Sequence, residues 1–285
     1  MALTLRPIEV ADVTAAGAIC HDAFRAIAER HNFPPDFPDR DVATGLLREL
    51  TAWPGIYGIV ALLDGRVAGS NFVDERAPIV GLGPITVDPT VQNSGVGRAL
   101  MQHMIDRAAE RGAAGLRLVQ SGYHARSLCL YAKLGFAPRE PLANMQGQPL
   151  GVAIPGYAVR SAVETDAAGC DRLCQAVHGH ARGRDLREAI GKGAAAVVER
   201  GGRITGYTTQ IAFFGHAIGE TNDDVKALIG AATSFAGPGF LLPIRNAELF
   251  RWCLDQGLQM VQPMTLMALG LYNEPQGAYL PSILF

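Results

Sequence analysis

Residues 87–101 read Val87-Asp88-Pro89-Thr90-Val91-Gln92-Asn93-Ser94-Gly95-Val96-Gly97-Arg98-Ala99-Leu100-Met101. An apolar run ends at Asp88-Pro89, and apolar side chains then recur at helical spacing from Val96 onward. The stretch predicts a strand, a glycine-containing loop and a helix that begins inside the loop. Gly95 and Gly97 let the backbone approach a bulky anion, and the free N–H groups of a first helical turn bind phosphate. Arg98 adds positive charge at the same place.

The loop differs from two well-known phosphate-binding motifs. A Walker loop requires Gly-Lys-Ser/Thr, which residues 92–99 lack. A Rossmann fingerprint requires a third glycine, where this chain has Leu100. A Gly-x-Gly pair alone also fits an ordinary turn before a core helix.

The segments around the loop predict an α/β fold. Alternating or apolar runs followed by turn residues predict strands, and apolar residues three or four apart predict helices. Asp12 is a candidate cap for the first helix, and Gly135 a candidate C-terminal stop for the last one. The predicted order is strand 3–6, helix 12–27, a proline-rich loop 31–38, helix 42–50, strands 56–63, 66–73 and 82–87, helix 97–111, strand 116–119 and helix 125–134.

Two motifs in this segment resemble one family. Residues 92–97 resemble the Gln/Arg-x-x-Gly-x-Gly/Ala pyrophosphate loop of the GNAT N-acyltransferases. Residues 124–136 resemble that family's second signature, Asn-x-x-(Ala/Ser)-x-x-x-Tyr-x-x-x-Gly-Phe, with His124 in place of asparagine. The spacing between the motifs and the order of elements before them also fit, and the resemblance covers about residues 3–145.

The resemblance implies acetyl-CoA as co-substrate, no metal, and a set of binding positions. The strand 85–87 resembles the strand that splays from its neighbour and pairs with the pantetheine arm. Tyr131 matches a tyrosine close to the CoA sulfur, and His124 can still offer one hydrogen bond. The implied cofactor-binding residues are Ile85, Thr86, Val87, Gln92, Asn93, Ser94, Gly95, Val96, Gly97, Arg98, Ala99, His124, Ser127 and Tyr131.

Acetyl transfer to an amine needs three further functions. The backbone N–H of Val87 is the candidate for polarising the thioester carbonyl, and Tyr131 is the candidate general acid for the departing thiolate. Tyr131 also fits a core aromatic on a helix. Glu75 is the preferred general base, with Asp74 and His31 as alternatives, although each also fits a solvated loop residue. The loop residues His31, Phe33 and Phe37 are expected to line the acceptor side.

The second half of the chain repeats the order of the first. Tyr157-Ala158-Val159-Arg160 before Asp166 mirrors Leu3-Thr4-Leu5-Arg6 before Asp12, and two later segments also recur. This predicts a catalytic GNAT domain at 1–147 and a degenerate GNAT-like domain at 156–285, each with a mixed, mostly antiparallel sheet flanked by helices. The second copy has no Gly-x-Gly, begins its third helix with Asp223-Asp224, and has Cys253 where the first has Tyr131.

Composition narrows the function classes. Hydrophobic residues make up 48% of the chain and charged residues 18%, with a net charge of −2, which argues against a nucleic-acid or membrane-surface partner. Five cysteines without a Cys-x-x-Cys pair indicate reduced thiols and a cytoplasmic protein. His178-Gly179-His180 is interpreted as a loop. We therefore expect an N-acetyltransferase for a small-molecule or peptide amine, monomeric or homodimeric; the alternative is a non-catalytic acyl-CoA sensor.

Overall fold

The computed structural model describes residues 2–284, and the chain forms two compact units. Unit 1 contains the described part of Met1–Pro138 together with Met267–Leu271 and Leu284; unit 2 contains Arg139–Leu266 and Tyr272–Ile283. The mixed α/β architecture predicted from the sequence is confirmed. The units differ from the predicted domains in three places, since residues 139–147 belong to unit 2, and residues 267–271 and Leu284 belong to unit 1.

Unit 1 has a mixed sheet with helices on both faces. Its elements are β1 (Leu3–Pro7), α1 (Val13–Arg30), α2 (Arg40–Ala52), β2 (Ile56–Leu63), β3 (Arg66–Asp74), β4 (Ile79–Leu82), β5 (Thr86–Val87), α3 (Val96–Glu110), β6 (Gly115–Ser121) and α4 (Ala125–Lys133). The strand order is β1-β2-β3-β4-β6, with residues 267–270 beside β6 and with β5 on β3. The pairs from β1 to β4 are antiparallel, and the β4–β6 pair is parallel.

Two buried clusters hold the helices of unit 1 to the sheet. Successive side chains in a strand point to opposite faces, so Phe72 and Val73 of β3 enter different clusters. Phe72 packs with residues of α1 and α2 such as Cys20 and Leu47. Val73 packs with residues of α3 such as Leu100 on the other face. The sheet is therefore the middle layer of three.

The strand predicted at 82–87 does not form a single element. It is divided into β4 and β5 by residues 83–85. Pro84 has no N–H with which to continue a ladder, and Gly83 has φ 134°. The strand therefore stops and restarts, and this break shapes the site described below.

Unit 2 repeats the layered arrangement. Its elements are β7 (Ala137–Gln146), β8 (Ala158–Ser161), α5 (Ala167–His178), α6 (Gly183–Gly191), β9 (Ala196–Arg200), β10 (Arg203–Thr208), β11 (Ala217–Gly219), α7 (Asn222–Ala231), β12 (Phe240–Pro243), α8 (Ala247–Asp255), β13 (Gln259–Gly270) and β14 (Ala278–Leu280). One sheet has the order β14-β11-β10-β9-β8, and β13, β7 and β12 form a second ladder. Strand β7 pairs antiparallel with β12, with Ala143 opposite Leu242, which explains why residues 139–146 belong to this unit.

The duplication extends to individual ion pairs. In unit 1 the Asp12 carboxylate accepts hydrogen bonds from Arg6 at 2.7 and 2.8 Å and from the Glu9 backbone N–H at 2.8 Å. In unit 2 Asp166 accepts from Arg160 at 2.7 and 3.0 Å and from the backbone N–H three residues earlier at 2.9 Å. The same six-residue spacing thus fixes the start of α1 and of α5.

Candidate functional site

The break between β4 and β5 opens the sheet of unit 1. Strand β4 pairs with β6 from Ile79 to Gly81. Strand β5 pairs with β3, through Ser70 opposite Thr86, and has no ladder to β6 among the described strands. The backbone edge of β5 on the β6 side is therefore available to a ligand. The family resemblance implies a splayed strand at this location.

The loop after β5 presents the N-terminus of α3. Asp88 turns the chain by accepting a hydrogen bond from the Thr90 N–H at 2.8 Å. Asn93 has φ 70°, and Gly95, the N-cap of α3, has φ 91°. No acidic residue lies in the first turn of α3, so its N–H groups and the positive end of its dipole remain available to an anion.

Gly97 is not required by the packing of the protein itself. A Cβ atom at this position would lie 3.5 Å from the Val87 side chain and 3.6 Å from that of Leu130, which are ordinary contact distances. The fold would therefore accept alanine, which also favours a helix over glycine by about 1 kcal/mol. The missing side chain leaves space beside the backbone, as a close-fitting phosphate requires.

Helix α4 forms the opposite wall through residues on one face. His124, Ser127 and Tyr131 follow the spacing i, i+3 and i+7. Ser127 donates to Gln120 of β6 at 2.7 Å, and Tyr131 is 7% exposed. Amphipathic spacing thus turns all three side chains toward the opening in the sheet.

These elements enclose a cavity of about 550 Å³ in unit 1. Most of the binding residues predicted from the sequence line it: Ile85, Thr86, Val87, Gln92, Asn93, Gly95, Val96, Gly97, Arg98, His124, Ser127 and Tyr131. Ser94 and Ala99 are not on the wall; the Ser94 hydroxyl donates to the Val91 carbonyl at 2.6 Å and so stabilises the turn. The two predicted motifs therefore meet at one cavity.

Helix α1 forms a wall that sequence reasoning missed. Its lining residues are Ala23, Phe24, Ala26, Ile27 and Arg30. Their helical spacing was a visible signal, but apart from Arg30 the residues resemble an ordinary core face. Arg126 and Leu130 of α4 also line the cavity. The Arg126 guanidinium donates to the side-chain oxygen of Gln92, which links α4 to the loop before α3.

The charge of the wall is positive. Arg30, Arg98 and Arg126 line it, and no Asp or Glu does. Burial and the charges of Arg126, His31 and Arg30 lower the pKa of His124 to about 4, so this imidazole is neutral at pH 7. Burial raises the pKa of Tyr131 above its usual value, so its hydroxyl stays protonated.

His124 contains an unsatisfied polar atom. Its Nε2 atom is buried without a hydrogen-bond partner among the residues that the structure describes. A buried nitrogen left in this way costs about 1–3 kcal/mol. A ligand with a polar group at this wall would satisfy it, in the role that the resemblance gives to asparagine.

Glu75, the preferred base, lies outside the cavity. Its carboxylate accepts from Arg107 at 2.6 and 3.0 Å and from Arg111 at 3.2 Å, and its side chain is 8% exposed. The strand end that carries Glu75 packs against α3, where these arginines lie. The geometry therefore gives Glu75 an ion-pair role and does not bring it to Tyr131.

The three residues expected on the acceptor side are also absent from the wall. Phe33 stacks on Tyr123 with ring centroids 4.3 Å apart and planes at 8°, and His31 lies 5.4 Å from the same ring. Phe37 packs edge-on against Phe24 at 5.6 Å and joins the α1–α2 cluster. His31 is exposed, Phe33 and Phe37 are half-buried, and Phe24 lines the cavity in their place.

The equivalent region of unit 2 is filled by the chain. The side chain of Asp224 caps α7 by accepting from the Thr221 N–H at 2.8 Å and its hydroxyl at 2.7 Å, and Thr205 donates to it as well. Strand β14 pairs with β11, with Tyr279 opposite Ile218, on the edge that β5 leaves open in unit 1. Cys253, which takes the place of Tyr131, is fully buried.

A family model and a relative covered over two thirds of its length together show the family of the chain. The model of the acetyltransferase (GNAT) family matches residues 24–136. An IAA acetyltransferase of Azospirillum brasilense is 31% identical over 103 residues, which are 35% of this chain and 67% of that protein. The chain belongs to the GNAT family. Acetyl-CoA is the acyl donor used by this family, so a GNAT acetyltransferase accounts for both motifs.

Other similar proteins match this chain over a shorter segment or at lower sequence identity. The [ribosomal protein bS18]-alanine N-acetyltransferase of Escherichia coli K12 is 46% identical over 52 residues, 18% of this chain. That alignment spans only 35% of the relative's own length. Two solved structures have a similar fold at 15% sequence identity. A candidate acetyltransferase of Pyrococcus horikoshii has a TM-score of 0.72 and covers 99% of this chain and 92% of its own. A tandem GNAT protein of the clavulanic acid biosynthesis pathway has a TM-score of 0.56 and covers 95% of this chain and 100% of its own.

Within residues 2–284 no group of three His, Cys, Asp or Glu side chains is arranged to hold a metal ion. The same residues include no helix that combines the length and apolar character needed to cross a membrane.

Proposed function

We propose that unit 1 transfers the acetyl group of acetyl-CoA to a primary amine of a small molecule or a peptide. The observation that carries the proposal is one cavity lined by both GNAT motifs and by the unpaired edge of β5. In this proposal the sequence range 1–147 supplies the catalytic domain. The range 156–285 supplies a degenerate GNAT-like domain that binds no CoA, since its capped α7 and strand β14 occupy the corresponding place.

The residues present fit acetyl-CoA. Residues 92–99 and the N-terminus of α3 would hold the pyrophosphate, with Arg98 and Arg126 as its cationic partners. The edge of β5 would pair with the amide-bearing pantetheine arm. His124 Nε2 would gain the partner it lacks. Bound there, acetyl-CoA supplies a thioester carbonyl and a thiol leaving group.

Two groups of the chain are proposed to act on the reaction. The Val87 backbone N–H donates to the carbonyl oxygen on which negative charge develops. The Tyr131 hydroxyl donates a proton toward sulfur, and burial keeps that proton in place at neutral pH. A free thiol has a pKa near 8.5 and a tyrosine one near 10, and burial raises the pKa of Tyr131 further, so the hydroxyl acts first as a hydrogen-bond donor to the departing sulfur and its proton moves uphill as the carbon–sulfur bond breaks.

The general base is not a carboxylate of the cavity wall, because the wall contains none. Glu75 is held by Arg107 and is not proposed as the base. The amine proton leaves to water instead. This absence is also the observation that favours the second candidate function, a non-catalytic acyl-CoA sensor.

Incubation with acetyl-CoA and a panel of amines, followed by detection of free thiol, separates the two functions. Transfer requires thiol release that depends on the amine and on Tyr131. Tight binding of CoA without thiol release from any amine would support the sensor and refute the enzyme.

A further inference from the structure

The cavity of unit 1 passes from one face of the sheet to the other. Thr86 of β5 lies opposite Ser70 of β3, and their hydroxyls are 3.3 Å apart. Ser70 shares a face with Phe72, two residues along β3, and Phe72 belongs to the α1–α2 cluster. Val87 packs instead on the α3 side. Because Thr86 and Val87 both line the cavity, it reaches both helical layers through the gap beside β5.

The two ends of the cavity differ in chemistry. The α3 and α4 side has the glycine loop, its cations and Tyr131. The α1 side has Ala23, Phe24 and Ile27 beside Thr86, and we call the space that these four residues border the α1 compartment. Its side chains are uncharged and include a single hydroxyl. The α1 compartment therefore suits an apolar group.

Phe24 is the bulky side chain of the α1 compartment. Its ring packs edge-on against Phe37, with centroids 5.6 Å apart and planes at 74°, and both rings join the α1–α2 cluster. The neighbouring Ala23 presents only a methyl group. A ring that is packed in this way does not make room for further carbon atoms without strain. Phe24 therefore sets the depth of the α1 compartment.

The proposed placement of the thioester directs its acyl chain toward this compartment. The carbonyl carbon of a thioester has three substituents in one plane. In the proposed function the sulfur lies at Tyr131 on the α4 side, and the oxygen lies at the Val87 N–H within the sheet. The third substituent, the acyl chain, then points away from both, toward α1. An amine attacks perpendicular to this plane, so it does not have to pass through the α1 compartment.

We infer that the α1 compartment receives the acyl chain of the donor and that Phe24 restricts this chain to short groups such as acetyl and propionyl. The inference rests on the donor placement proposed above and adds a specificity-determining residue to it. Transfer of any acyl group involves the same bonds. The amine nitrogen bonds to the acyl carbon, the carbon–sulfur bond breaks, water takes the amine proton, and the departing sulfur takes the proton of Tyr131.

The size of the effect follows from apolar burial. Each methylene group that moves from water into an apolar site raises affinity roughly 4-fold. In the wild-type protein the added methylenes of a longer chain meet the Phe24 ring and gain no affinity. Phe24→Ala replaces the ring by a methyl group, so these carbons can be buried in the space that the ring leaves.

The test measures the binding of CoA thioethers, which cannot transfer their alkyl group. Calorimetry with the full-length protein compares S-ethyl-CoA with S-hexyl-CoA. We expect the wild-type protein to bind the hexyl compound no more tightly than the ethyl compound. Phe24→Ala should shift the ratio of affinities toward the hexyl compound by roughly 10-fold or more. Phe24→Leu, which keeps apolar packing against Phe37, should shift it by a smaller factor.

Leu46→Ala is the matched control. Leu46 is half-buried in the same α1–α2 cluster but lies outside the cavity wall, so its removal should leave the ratio unchanged. An unchanged ratio in Phe24→Ala overturns the inference, as does a wild-type protein that prefers the hexyl compound. An equal shift in Leu46→Ala also overturns it, because loosened packing alone would then explain the result.

Thiol release separates this inference from the proposed function. A shifted thioether ratio without thiol release from any amine removes acetyl transfer and leaves the acyl-chain compartment standing. If Phe24→Ala leaves the thioether ratio unchanged but alters the discrimination among amines of different bulk, the α1 compartment holds the acceptor and the inference is wrong. Binding of neither thioether removes the CoA site and both proposals with it.

Discussion

Replacing Tyr131 with phenylalanine tests the chemistry of the cavity most directly. The ring is 7% exposed and packs edge-on against Phe136, with centroids 6.4 Å apart. Burial is the sole cause of the raised pKa of Tyr131, and its hydroxyl has no hydrogen-bond partner within residues 2–284. The substitution therefore keeps the packing and removes one proton donor.

We expect a small effect of Tyr131→Phe on stability and a large effect on the reaction rate. The loss of a buried hydroxyl without a protein partner should leave the free energy of unfolding unchanged or raise it by up to about 1 kcal/mol. Proton donation in the transition state contributes ~10²–10⁴-fold, so kcat should fall by that factor, equivalent to about 3–5 kcal/mol. The affinity for CoA should be nearly unchanged.

The assay combines thermal melting, calorimetry with CoA, and single-turnover thiol release. Single-turnover rates isolate the chemical step from product release. Wild-type single-turnover rates in the Tyr131→Phe variant, with chemistry shown to be rate-limiting, would refute the general-acid role and leave protonation to water. A large fall in the melting temperature would refute the packing argument.

Three further outcomes follow from the structure. Gly97→Asp adds an acid that suits the first turn of α3, so the fold should persist while the affinity for CoA measured by calorimetry falls at least 10-fold; Gly97→Ala is the control for the side chain alone. The stoichiometry of CoA should be one per chain, and a value of two would contradict the closed site of unit 2. Burial, and next the charge of Arg182, hold the pKa of His216 well below 6.5. Just below pH 6.5 the unfolded chain therefore binds a proton at His216 that the folded protein does not bind. The pKa of His124, lowered to about 4, acts with the same sign. The contribution of the two histidines to stability should therefore be complete above pH 6.5 and fall below it by about 1.4 kcal/mol per pH unit for each, and urea unfolding of His216→Gln should show about half of this dependence.

In unit 2 the sequence alone shows that the Gly-x-Gly motif is missing. Which residues fill the corresponding region can be seen only in the structure. The acidic pair Asp223-Asp224 at the start of a helix already predicts that this helix N-terminus does not bind an anion. The structure adds that Asp224 is fully buried and bonded to Thr205 and Thr221. It also adds strand β14, which pairs with β11 although about 60 residues separate them. Pairings at that separation depend on the folded sheet and leave no local pattern.

The sequence by itself determined the strand, glycine loop and helix at 87–101, the two motifs and the duplication of the fold. These follow from local rules, because glycine, capping residues and apolar spacing act within a few residues of one another. Tyr131 could be placed at the cavity for the same reason, since the face of α4 is set by its own periodicity. Tertiary structure alone decided the environment of the remaining side chains. Glu75 is acidic in any context, but only the packed fold brings Arg107 to it and α1 to the cavity, because both contacts join residues distant in sequence.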